Sequence, residues 1–149
     1  MASIRLPLCR VRTEVHAECH TLQGVVAYWQ TNVRGVYATI RESLPYLTGA
    51  ARVLVPTGRV AREPQSGIGT YAVSKAGAEA VARGFAVDTE YTVGALDLDQ
   101  LATELTGGHG RDPSTIGPMF YWAATAADPT PLDGSVTDLK TWKQETRSR

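Results

Sequence analysis

Arg52-Val-Leu-Val-Pro56 is a short apolar run with no polar alternation, the pattern of a parallel strand whose two faces are both covered by helices. That run points to an α/β fold. Pro56 ends it, and a stretch of Gly, Pro and polar residues follows as far as Thr70, long for a simple strand-to-helix connection. Upstream, Val33, Val36, Tyr37, Ile40 and Leu44 recur at spacings of three and four, which predicts a helix from about Thr31 to Tyr46. Downstream, an alanine-rich helix is expected over about Tyr71 to Asp88, and a second strand over Tyr91 to Leu98. Asp112 or Ser114 can cap a further helix through about Thr125, with Pro118 tolerated only near its start, and Gly134 to Leu139 reads as a third strand. Helices and strands in this alternating order are the signature of a parallel sheet with right-handed crossovers.

A chain of 149 residues is one domain by the usual prior, and can remove roughly 68–70% of its unfolded surface from water. Lys plus Arg and Asp plus Glu both number 15, with neither sign gathered into a run that would track a phosphate backbone or an anionic membrane. Neither nucleic acid nor a membrane is expected as a partner. Only Cys9 and Cys19 are available for disulfides, and no charged start precedes an apolar stretch, so the reading is a cytoplasmic protein with reduced thiols. Residues 1–29 stay unassigned: Ile4, Leu6 and Leu8 alternate, but Pro7 limits them to an edge strand. Cys9, His16, Cys19 and His20 have metal-binding side chains, yet their spacing fits no compact zinc finger, and no metal site is assigned.

Chemistry concentrates in Thr70-Tyr-Ala-Val-Ser-Lys-Ala-Gly-Ala78, where a phenol and an ammonium stand four residues apart at a helix start and so share one face. An unperturbed phenol titrates near 10, so acid–base use at neutral pH calls for a neighbouring cation that stabilises phenolate. Lys75 is placed to supply it. Tyr–Lys pairs at this spacing arise often by chance; here the pair follows a strand and a long loop, and lies downstream of Thr31-Asn-Val-Arg-Gly-Val-Tyr37. This ordered combination resembles the short-chain dehydrogenase/reductase family, in which an Asn-x-x-Gly helix precedes a strand and a Tyr-x-x-x-Lys pair follows it. Ile116-Gly-Pro-Met-Phe-Tyr-Trp122 and Leu132-Asp-Gly-Ser-Val-Thr-Asp-Leu139 are similar to the family's late helix and last strand.

The resemblance implies a partial Rossmann-like parallel sheet with helices on both faces, over residues 30–149, and hydride transfer between NAD or NADP and a small carbonyl or alcohol substrate. It implies Tyr71 as the acid or base, Lys75 as the group that lowers its pKa and binds the nicotinamide ribose, and Asn32 as holder of a relay water. Thr103 stands at the spacing of a family threonine that contacts the nicotinamide carboxamide.

Two departures accompany it. Thirteen positions before Tyr71, where the family has a substrate-orienting Ser, stands Gly58. Thr57 carries a hydroxyl one position earlier and is the candidate substitute, although one step along an extended backbone turns a side chain to the opposite face. The first 31 residues contain no Gly-x-x-x-Gly-x-Gly or Gly-x-Gly-x-x-Gly turn, Asn-Asn-Ala-Gly is absent, and Leu98-Asp99 stands where the family has Pro-Gly. The nucleotide-binding half is therefore expected to be absent, cofactor binding weak, and a relative without turnover, serving as an interaction module or a non-functional remnant, is the alternative. The strand from Arg52 should then expose an apolar edge that a partner, a second copy or the segment around Ile4 to Leu8 would cover. The helices beginning at Asn32 and Tyr71 resemble those of the family's dimer interface, which implies a homo-oligomer. Gly107-Gly-His-Gly110 lacks the Lys and Ser/Thr of a phosphate loop; it is read as a mobile substrate loop, with His109 plainly exposed.

Overall fold

In the computed structural model, which describes residues 21–63 and 65–147, the apolar run forms β1 (Arg52–Thr57). It lies beside β2 (Thr92–Asp97), which in turn pairs with β3 (Val136–Asp138). Both pairings are parallel, with Val55 opposite Ala95 and Asp97 opposite both Thr57 and Asp138. The expected α/β order of helix, strand, helix, strand, helix, strand is the order observed.

Strand alternation divides the core in two. On one face Val55, Val93 and Ala95 pack with Ile40, Ala78, Ala82 and Phe85, the inward side chains of α2 (Gly35–Ser43) and α3 (Gly69–Asp88). On the other, Leu96 packs with Met119 and Ala123 of α4 (Gly117–Thr125), Ala127, and Leu132 of the short α5 (Pro129–Leu132). Helices on both faces explain why the strands lack polar alternation. Leu96, Met119 and Leu132 are buried to 2% exposure or less, a class of burial that stabilises by about 1.5–3 kcal/mol per side chain.

Three boundaries differ from the sequence reading. The first helix begins earlier: α1 (Leu22–Trp29) runs through a π turn (Gln30–Arg34) into α2, so helix occupies the last part of the segment left unassigned. Its apolar residues Leu22, Val25, Val26 and Trp29 face solvent and Gly24 is what it buries, so no inward stripe marks it in the sequence. The Asp112-capped segment opens as a 3₁₀ turn (Pro113–Ile116), with Pro118 in the first turn of α4. Finally, α6 (Leu139–Arg147) follows β3 directly and packs through Leu139 and Trp142 alone, too few residues to set up a visible period. Ile4, Leu6, Leu8 and the Cys9, His16, Cys19, His20 group lie outside the described residues. Among the described residues β1 ends the sheet, no group of His, Cys, Asp or Glu is placed to hold a metal, and no helix is long and apolar enough to cross a membrane.

Candidate active site

Beyond the carboxyl ends of β1 and β2 lies a cleft of about 770 Å³. Its floor is Pro56, Thr57 and Leu98, where the two strands stop, and one wall is the first turns of α3. Tyr71 and Lys75, one helical turn apart, both line it. The Lys75 ammonium sits over the Tyr71 ring, 5.7 Å from its centre, and donates a long bond of 3.4 Å to the Pro56 carbonyl. With three donors and one long partner, it keeps capacity for an oxygen-rich ligand in the cleft.

The electrostatics depart from the sequence expectation. Burial pushes the Tyr71 phenol above its ordinary value and the Lys75 ammonium below its own. For both groups burial sets the direction, and for Tyr71 it acts against the depression expected from Lys75.

Asn32 lies in the π turn and does not line the cleft. Its Nδ2 donates to Ser74 Oγ at 2.9 Å, and Ser74 Oγ donates to the Tyr71 carbonyl at 2.8 Å, so Asn32 is fastened to the turn of α3 that carries the pair. Gly77 allows this approach, since a Cβ there would stand 2.7 Å from Val33 Cγ2. Thr57 reaches the cleft, but its hydroxyl donates to Glu79 Oε1 at 2.9 Å on the α3 side of the sheet, the turning-away that an extended backbone imposes. Gly58 lines the same floor and has no hydroxyl. Thr103 is an exposed part of the opposite wall, at the start of a 3₁₀ turn (Glu104–Thr106) that it caps reciprocally with Thr106. His109 is exposed and is not part of the cleft lining.

Two contributors escaped the sequence reading. Tyr28 of α1 lines the cleft and meets the Tyr71 ring edge-on, with centres 5.6 Å apart; its helix gives no inward period by which to find it. Beneath the floor, the Arg62 guanidinium bonds both Glu79 Oε1 and Asp97 Oδ2, carboxylates exposed by only 3% and 5%. Two carboxylates on separate helix and strand carry no shared motif, so only the fold brings them together.

No protein-family model and no curated protein matches the chain. Solved structures do. A 3-ketoacyl-(acyl-carrier-protein) reductase from Brucella melitensis, complexed with NADH, aligns at a TM-score of 0.73 and 19% identity over 83% of this chain and 59% of that one. The oxidoreductase yciK from E. coli aligns at 0.71 and 20% identity, over 79% and 53%. The fold is that of a partial short-chain dehydrogenase. A short chain dehydrogenase from Salmonella enterica serovar Typhi gives 0.68 and 20%, over 79% and 54%, and other matches are complexed with NADPH or NADP. The chain thus spans little more than half the length of these structures. At such identities the likeness is one of fold, and a short-chain dehydrogenase fold opens its cleft at strand carboxyl ends, where ligands of open α/β sheets bind.

Proposed function

We propose that the cleft is the nicotinamide and substrate end of a short-chain dehydrogenase/reductase site, and that the chain acts as an NAD(P)-dependent oxidoreductase on a small carbonyl or alcohol compound. The observation that carries this reading is the Tyr71–Lys75 pair, half-buried and adjacent on the cleft wall beyond the ends of β1 and β2. When bound, the nicotinamide would give or take the hydride. Lys75 would donate to the ribose hydroxyls, for which its single long bond to Pro56 leaves it free, and Thr103 stands on the wall that would face the carboxamide.

Tyr71 is the proton donor for carbonyl reduction and the acceptor in the reverse direction. A phenol raised by burial keeps its proton at neutral pH, which suits reduction. Asn32, through Ser74, holds the backbone of the turn that aims Tyr71. Tyr28 packs the ring from the side and excludes water there.

A second reading, a chain that keeps the fold without turnover, is favoured by the floor of the cleft. The Thr57 hydroxyl is spent on Glu79 and Gly58 offers none, so no side chain there orients the substrate oxygen. Fluorescence titration with NADH and NADPH, followed by a ketone and alcohol panel with Tyr71→Phe as control, separates the two. Saturable binding with turnover that disappears in Tyr71→Phe supports the reductase; binding without turnover supports the inactive relative.

A further inference from the structure

Next to the cleft is a second, smaller pocket of about 440 Å³, over the carboxyl ends of β2 and β3 and against the first turns of α6. The two share a wall made by Arg59 and Asp99, whose side chains pair at 3.1 Å. Five cations line the smaller pocket: Arg59, Arg111, Lys140, Lys143 and Arg147.

Its three carboxylates are already engaged within the protein. Asp97 accepts from Arg62 and from the Asp99 amide, Asp99 holds Arg59, and Asp138 accepts from the Thr141 amide at 2.7 Å as the cap of α6. By contrast, Arg111, Lys140, Lys143 and Arg147 have no carboxylate within 4 Å among the described residues. Arg111 Nε is buried with no hydrogen-bond acceptor among the described residues. A guanidinium donor withdrawn from water and left unpaired costs free energy until an acceptor arrives. Two guanidinium groups and two ammonium groups around one concavity suit a compact group with several anionic oxygens, because guanidinium binds such oxygens in pairs and ammonium adds point charge.

We propose that this pocket is an anion site that takes a phosphoryl group, either free phosphate or the phosphate of a small phosphomonoester. Arg111 supplies a guanidinium in the wall, and Lys140, Lys143 and Arg147 the open rim. The site stands whether or not the neighbouring cleft binds nicotinamide.

The test is an amide-resolved NMR titration of the full chain with inorganic phosphate and, separately, with glycerol phosphate, against sodium chloride at matched ionic strength. Saturable shifts at Arg111 and along Asp138 to Arg147 are expected with phosphate, glycerol phosphate or both, and the tighter ligand identifies the source. Lys143→Gln, on an exposed position, should weaken binding several-fold, and Arg111→Gln about tenfold, the loss of a charge-assisted hydrogen bond. Tyr71→Phe should leave the titration unchanged, which keeps it separate from the fate of the reductase reading. Shifts that only follow ionic strength, or binding that Lys143→Gln leaves intact, would overturn the proposal.

Discussion

Lys75 is a half-buried cation and Tyr71 a half-buried acid on the same cleft wall, so their titrations pull stability in opposite senses. The native Lys75 loses its proton below the ordinary lysine value. Between those two values the unfolded chain binds more protons, and stability rises with pH. The native Tyr71 keeps its proton above the ordinary phenol value. From that value upward the native state binds more protons, and stability falls with pH. Replacing the half-buried ammonium should therefore stabilise: Lys75→Met is expected to unfold at higher urea than the parent at neutral pH, with the gain shrinking as pH approaches the ordinary lysine value. A less stable Lys75→Met at neutral pH would contradict the burial argument. Asp138 illustrates the reverse case, a carboxyl held below its usual range chiefly by the Thr141 amide. Its stabilisation is present above the usual carboxyl range and lost as pH falls through the native value. Asp138→Ala removes the cap of α6 and should cost about 1 kcal/mol in urea denaturation at neutral pH.

Elements meet in this molecule at points the sequence marks unevenly. Gly94 in β2 is one: a Cβ there would lie 2.5 Å from the Leu132 carbonyl, where α5 presses on the strand. Backbone cannot yield as a side chain can, so Gly94→Ala should cost about 1–3 kcal/mol by thermal or urea unfolding. Arg62 is another, reaching from the loop after β1 to tie Glu79 of α3 to Asp97 at the end of β2. Arg62→Ala takes the guanidinium from two buried carboxylates, leaving Glu79 with Thr57 and Arg83 and Asp97 with the Asp99 amide. A loss of about 2–3 kcal/mol is expected, below the 3–5 kcal/mol of a fully enclosed pair because Arg62 is partly in water. If Arg62→Ala unfolds at the parent's urea midpoint, the bridge carries no stability. These joints show what a single chain reveals of itself. β1, β2 and the helix of Tyr71 were legible because burial on two faces leaves largely apolar or small-residue runs, whereas the three residues of β3, Val-Thr-Asp, were placed by the alternating order of elements; Tyr71 with Lys75 was legible because both lie on one turn of one helix. Asn32, fixed by a contact across 42 positions to Ser74, could be named but not located, and Tyr28, Arg62, Glu79 and Asp97 acquire meaning only when separate elements converge.

At the scale of the whole molecule, the question is how its apolar surface is managed. Among the described residues β1 has no neighbour on its outer side, and such an edge invites another strand. Pro56 weakens that invitation, because it removes one amide donor from a strand of six residues. The helical layer offers more. On α1, Leu22 is 85% exposed and Val26 and Trp29 each 51%; on α3, which packs against α1, Val73 is 67% exposed. Large apolar side chains gathered on adjoining helices are costly to leave in water and gain by covering one another in a second copy. The small residues Ala76 and Ala80 on α3 keep that helix slim enough for close approach. The chain is therefore expected to self-associate through α1 and α3 rather than through the β1 edge. Light scattering at micromolar concentration should give at least a dimer. Val73→Lys combined with Val26→Lys, both at exposed positions, should shift it to monomer while the far-ultraviolet circular dichroism stays that of the parent. A parent that is monodisperse as a monomer would refute association. An oligomer indifferent to both lysines, yet dispersed by a charged residue at Pro56, would move the interface to the sheet edge.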